Sequence, residues 1–178
     1  MIRLVFETHS TTVDNEAGIA SGWRDPPLSA LGREQAWTLG ARRADIDVVF
    51  ASDLGRAVET MALALEGSPV PRSLDWRLRE CHYGDLDGHP AAAVHGARLA
   101  HLEAPYPGGE SYRDVVARVA SFLADVRMRW DGARVLVIGH SGTRYALDYV
   151  LGGADLPTVV AAPGEWQPGW EYELGAPR

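Results

Sequence analysis

Two histidines, an arginine and a glutamate stand where they could share one reaction. His9 and His140 each follow an apolar run of strand length, Arg56 lies just inside a helix start, and Glu80 sits in a polar loop. A neutral imidazole can attack phosphorus and carry the phosphoryl group, while a second imidazole stabilises the charge in transfer. The planar fork of an arginine matches anionic oxygens. A carboxylic acid can protonate the leaving alkoxide, and Glu80 is the natural candidate.

These residues must be brought together by the elements around them. Met1-Ile2-Arg3-Leu4-Val5-Phe6, Asp47-Val48-Val49-Phe50-Ala51-Ser52 and Arg134-Val135-Leu136-Val137-Ile138-Gly139 read as buried strands. Ser29 is expected to cap a helix from Ala30 to Arg43, and Asp53 to cap one carrying Leu54, Ala57, Val58, Met61, Ala62 and Leu65 on one face, ended by Gly67. The clearest helical stripe is Tyr112, Val115, Val116, Val119, Phe122, Leu123, Val126 and Trp130. A further helix runs from His140 to about Leu151, and Trp166 to Leu174 is expected as a last edge strand. Residues 90–103, rich in alanine, could form a helix although their apolar pattern is weak, and 82–107 reads as an insert or lid. The alternation predicts an α/β fold: a mostly parallel sheet in one domain over residues 1–178, with helices on both faces. Parallel strands end at a common edge, so His9, the Ser52-Asp53 turn and His140 should converge there, and the helices that follow add N-terminal N–H groups.

Composition narrows the partners. A chain of 178 residues with net charge −7 has no basic stripe for nucleic acid. A single cysteine, Cys81, excludes an internal disulfide and a Cys-rich metal site. His82, His89, His95 and His101 are spaced by seven, six and six, which fits no common zinc motif, so no metal is expected. No signal-peptide pattern opens the chain and no apolar run is long enough to cross a bilayer, so a cytoplasmic protein without a membrane partner is expected. The sequence leaves a homodimer open.

Read in order, several blocks resemble the histidine phosphatase superfamily, in its phosphoglycerate-mutase-like branch. They are Thr8-His9-Ser10-Thr11-Thr12-Val13-Asp14-Asn15, Gly22-x-x-Asp25-x-Pro27-Leu28-Ser29, Ser52-Asp53-Leu54-x-Arg56-Ala57-x-Glu59-Thr60, Leu78-Arg79-Glu80, Pro107-Gly108-Gly109-Glu110-Ser111 and Gly139-His140-Ser141-Gly142. The resemblance implies His9 as phosphorylated nucleophile, Glu80 as proton donor, and His140, Arg56, Asn15, Ser10 and Ser141 around the phosphate. It implies no cofactor, and hydrolysis of a small phosphorylated metabolite through phosphohistidine. Reuse of the fold for non-phosphoryl acid–base chemistry, or as a non-catalytic anion-binding module, are the alternatives.

The first block departs from the family pattern Arg-His-Gly-x-Thr-x-x-Asn. Thr8 replaces the arginine, Ser10 the glycine, and Glu7 stands where an apolar residue is usual. A lost charge-assisted contact amounts to about 1.5–3 kcal/mol, and Arg24 and Arg144 are the candidate replacements. Glu7 either pairs with a pocket arginine or marks altered chemistry. Glu59 is expected to orient an arginine, and Glu110 is a second candidate acid. Cys81 is expected to be inert packing.

Overall fold

The apolar runs become strands at the middle of a sheet because both of their faces are covered. The computed structural model describes residues 1–162 and 167–175. In chain order the elements are β1 (Ile2–Thr8), a one-turn helix α1 (Val13–Glu16), β2 (Ile19–Ala20), α2 (Ala30–Arg42), β3 (Val48–Ala51), α3 (Gly55–Ala64) and β4 (Arg72–Leu74). There follow β5 (His89–Pro90), α4 (Ala91–Ala97), α5 (Tyr112–Arg129), β6 (Arg134–Gly139), α6 (Ser141–Val150), α7 (Leu156–Ala161) and β7 (Trp170–Leu174). The main sheet has the order β4-β3-β6-β1-β7, parallel except for β7, which runs against β1. This is the expected α/β architecture.

Alternation along the strands divides the core. Leu4, Phe6, Val135 and Val137 face α5, α6 and α7, where they meet Val115, Val119, Phe122, Leu147 and Val160. Val5, Val49, Leu136 and Ile138 face α2 and α3, where they meet Leu39, Ala57 and Met61. None of the helices among the described residues is long and apolar enough to cross a membrane.

One expected helix cap needs correction, and two short elements, β5 and α7, add to those expected. Asp53 does not cap α3: Leu54 occupies the cap without a side-chain bond, and Asp53 instead forms a two-point ion pair with Arg79 at 2.7 Å. The first-turn N–H groups of Gly55 and Arg56 go to the Asp25 carboxylate at 2.8 and 3.3 Å, from a loop thirty residues earlier. The segment from Pro90 is helical as expected, in α4 and a 3-10 turn over Arg98–His101, and it is preceded by the unexpected β5, which pairs antiparallel with β2. α7 was not anticipated, since its apolar residues span too little chain to show a period. The expected start of the last strand, Trp166, lies outside the described residues.

Glu7 faces α2, on the other side of the sheet from the α6 face. It is almost wholly buried, and its carboxylate accepts from Arg42 at 3.1 Å and Arg43 at 2.9 Å. Arg43 also donates to the Pro168 carbonyl at 2.9 Å, tying the approach to β7 to this pair. Glu7 thus holds two structural arginines rather than a pocket arginine. Removing one member of a buried pair leaves an uncompensated charge. Glu7→Gln should therefore destabilise the fold by up to ~3 kcal/mol, at the low end of the buried-pair range because Arg42 is partly solvated. Urea unfolding would measure it; an unchanged midpoint would show that the pair adds nothing.

Candidate active site

The C-terminal edge of the sheet places the histidines side by side. The His9 N–H continues the β1–β6 ladder to the Gly139 carbonyl at 2.9 Å, so the first loop leaves the sheet beside the second. The His9 and His140 rings lie 5.0 Å apart between centroids. His9 Nδ1 is 2.7 Å from the Ser10 carbonyl oxygen. A carbonyl only accepts, so Nδ1 carries the proton and Nε2 keeps its lone pair. Nε2 accepts from Arg56 Nε at 3.3 Å. Burial, then the Arg56 charge, pull the His9 pKa down to about 3 against the opposing pull of the Ser10 carbonyl. The imidazole is neutral, and its unprotonated nitrogen is oriented by Arg56.

Arg56 is fixed before any ligand arrives. Its Nη1 donates to the Arg24 carbonyl at 2.7 Å and its Nη2 to the Gly22 carbonyl at 2.8 Å. Gly22 is needed there: its φ is +54°, and a Cβ would collide with the Asp87 carboxylate. Thr60, one turn on, accepts from the Ser10 N–H at 3.0 Å and donates to the Arg56 carbonyl at 2.7 Å, linking α3 to the His9 loop.

Glu80 is held by its backbone and by one carboxylate oxygen. Trp23 Nε1 and Arg118 Nη2 donate to its carbonyl at 2.8 and 3.0 Å. Arg118 is itself clamped by Glu110, which also accepts from the His82 N–H at 3.1 Å, so Glu110 positions this loop. Glu80 Oε1 accepts from the Cys81 and Gly142 N–H groups, each at 2.8 Å. A Cβ on Gly142 would lie 2.6 Å from that oxygen, so the approach requires glycine. Oε2 has no partner among the described residues, and Glu80 lines the cavity. Burial pushes the neighbouring Cys81 thiol pKa up, which keeps it inert.

His140 lies wholly buried behind His9, and neither ring nitrogen has a hydrogen-bond partner among the described residues. Burial, then the charge on Arg56, hold its pKa well below the usual histidine value. Both histidines therefore bind protons better unfolded than folded. Their contribution to stability is complete above about pH 6.5 and is lost as pH falls toward the folded-state values. The melting temperature should drop on acidification from pH 7 to pH 4, and more shallowly in His140→Gln. An identical pH slope in that variant would remove His140 from the account.

The cavity in front of these groups measures about 410 Å³. His9, Asn15, Arg56, Glu80 and Ser141 line it, together with Thr8 and Arg144. Asn15 Oδ1 is engaged by the Thr12 N–H at 3.0 Å, which orients its amide. Ser10 is not among the lining residues; it borders a second cleft of about 590 Å³ with Gln35 and Arg42. Arg24 is exposed and gives the site only its carbonyl. Arg144 lines the cavity, but its charge is shared with Asp148 at 3.2 Å. Glu59 pairs with Arg33, an arginine outside the cavity, and also holds the Leu28 N–H.

The β2–β5 pairing lays residues 91–98 against the cavity and adds His95, which the sequence offered only as a rejected metal ligand, and Arg98, which no sequence signal marked. The other three histidines go elsewhere: His82 stacks on Trp23, His101 on Tyr106, and His89 lies in β5. Among the described residues no group of three potential ligands could hold a metal ion.

A family model, "Histidine phosphatase superfamily (branch 1)", matches residues 4–160. The chain belongs to the histidine phosphatase superfamily. A 2,3-bisphosphoglycerate-dependent phosphoglycerate mutase of Methylobacterium sp. (strain 4-46) is 36% identical, covering 98% of this chain and 88% of its own. Among solved structures, Bacillus stearothermophilus YhfR is 27% identical with a TM-score of 0.83, over 94% of this chain and 88% of its own. A mycobacterial glucosyl-3-phosphoglycerate phosphatase in complex with VO3 is 32% identical with a TM-score of 0.76, over 89% and 86%. This member carries histidine at 9 and 140 and threonine at 8.

Proposed function

We propose that the protein hydrolyses phosphomonoesters of small metabolites through a phosphohistidine at His9. The observation that carries this reading is the state of His9, with its proton held on Nδ1 by the Ser10 carbonyl and Nε2 unprotonated, accepting from Arg56 Nε at 3.3 Å. In the first step the Nε2 lone pair attacks phosphorus, the ester P–O bond breaks, and Glu80, protonated on Oε2, donates that proton to the leaving alkoxide. In the second, the Glu80 carboxylate takes a proton from water, the water oxygen bonds to phosphorus, and the P–N electrons return to His9. Arg56 binds the equatorial oxygens, and the unpartnered ring of His140, buried 5.0 Å from that of His9 and not itself lining the cavity, would turn an N–H toward them once phosphorus reaches His9.

Superfamily membership supports phosphohydrolase chemistry in general. The relatives named above include both a mutase and a phosphatase, so the acceptor of the phosphoryl group is the open choice. Glu7 no longer favours other chemistry, since it serves Arg42 and Arg43 away from the cavity. The experiment is phosphate release from an aryl phosphate and a panel of phosphorylated metabolites. His9-dependent release supports hydrolysis; none from any member of the panel overturns it.

A further inference from the structure

Arg98 is an enclosed cation without an anion. It is 6% exposed, its Nε is sealed from solvent without a hydrogen-bond partner, and no carboxylate pairs with its guanidinium among the described residues. The other cavity arginines differ. Arg56 rests on two carbonyls, and Arg144 is paired with Asp148. Arg98 instead lies over the Tyr145 ring, 5.5 Å from its centroid, and lines the same cavity as His9, Arg56 and Glu80. An unpaired guanidinium at that depth is strongly unfavourable unless an anion comes to it.

The charge balance says which anion. Both histidines are neutral, because burial and Arg56 hold their pKa values down. A phosphate dianion there meets Arg56, while Arg144 is already paired with Asp148. Burial opposes the charge on Arg98, but a guanidinium keeps its proton in a protein interior. Arg56, Arg98 and Glu80 line the same cavity. Arg56 and Arg98 together match a dianion.

We propose that Arg98 is the second guanidinium of the phosphate site, binding the phosphoryl oxygens of substrate, or free phosphate, where Thr8 supplies no cation. This rests on the phosphomonoesterase reading above. It also makes the 82–107 segment part of the binding site, with ligand affinity depending on how that segment docks.

The test is calorimetric titration of the full chain with inorganic phosphate and with orthovanadate, alongside thermal melts. Arg98→Met should weaken both anions by about 10- to 100-fold, the loss of one charge-assisted contact. It should melt no lower than wild type without phosphate, since it removes an unpaired buried charge, and should lose the upward shift that phosphate gives. Arg98→Lys should recover part of the affinity, and Arg98→Gln serves if the Met variant does not fold. For an aryl phosphate, KM should rise more than kcat falls. Unchanged anion affinity in the variants, with a lower melting temperature, would assign Arg98 a purely structural role and overturn the proposal. So would a wild-type protein that binds neither anion. Phosphate binding through Arg98 without ester turnover would leave this inference standing and sink the hydrolase reading, whereas His9-dependent turnover indifferent to Arg98 would do the reverse.

Discussion

His9→Asn is expected to abolish turnover, lowering kcat by about four orders of magnitude or more, as removal of a covalent nucleophile does elsewhere. The expectation follows from which nitrogen is free. Nδ1 is committed to the Ser10 carbonyl at 2.7 Å, so Nε2 is the only ring atom with a lone pair to offer. Asparagine can keep a donor toward that carbonyl but offers no nucleophile. The fold should survive, because the backbone N–H of residue 9, not its side chain, continues the ladder to Gly139. Rapid quenching at alkaline pH should trap an acid-labile phosphate on wild type and none on the variant. A variant that keeps a tenth of wild-type turnover would remove His9 from the nucleophile role.

Glu80→Gln should produce the second large effect, and one that depends on the substrate. An amide cannot donate a carboxylic proton, so esters of poor leaving alcohols should lose about 10²- to 10⁴-fold in kcat. An aryl phosphate, whose leaving group needs little protonation, should be much less affected in the first step. The glutamine carbonyl can still accept from the Cys81 and Gly142 N–H groups that now meet Oε1 at 2.8 Å. Loss of activity would therefore report lost proton transfer rather than a displaced loop. If alkyl and aryl esters lost activity equally, Glu80 would be a positioning group and the acid would have to be sought among other cavity residues.

Together the two variants separate the halves of the reaction. Their common premise is a site organised before the substrate binds, and the hydrogen bonds support it. Arg56 is locked by the Gly22 and Arg24 carbonyls, Glu80 by two N–H groups, and His9 by its neighbour's carbonyl. Such preorganisation is what makes electrostatic stabilisation effective. It also explains why glycine is found at positions 22 and 142, where a side chain would displace Asp87 or Glu80.

The sequence by itself determined the strands, the main helices and the edge at which the chemistry gathers. Those features follow from local rules: apolar runs bounded by polar turns, a 3.6-residue stripe on α5, and the common direction of β1, β3 and β6. His9, Arg56 and His140 were legible as neighbours because each sits at a strand end or helix start that such rules define, whereas Glu80, in a loop, was marked by its chemistry and by the family resemblance. Only the tertiary structure decided the rest. Asp25 caps α3 from thirty residues away, Glu7 finds Arg42 and Arg43 across the α2 face, and Ser10 turns toward Thr60 and the second cleft. Arg98 reaches the cavity because β2 pairs with β5, a two-residue contact with no local signature. The physical reason is the same in each case. Charged side chains choose partners by distance in the folded chain, and periodicity carries no information about that distance.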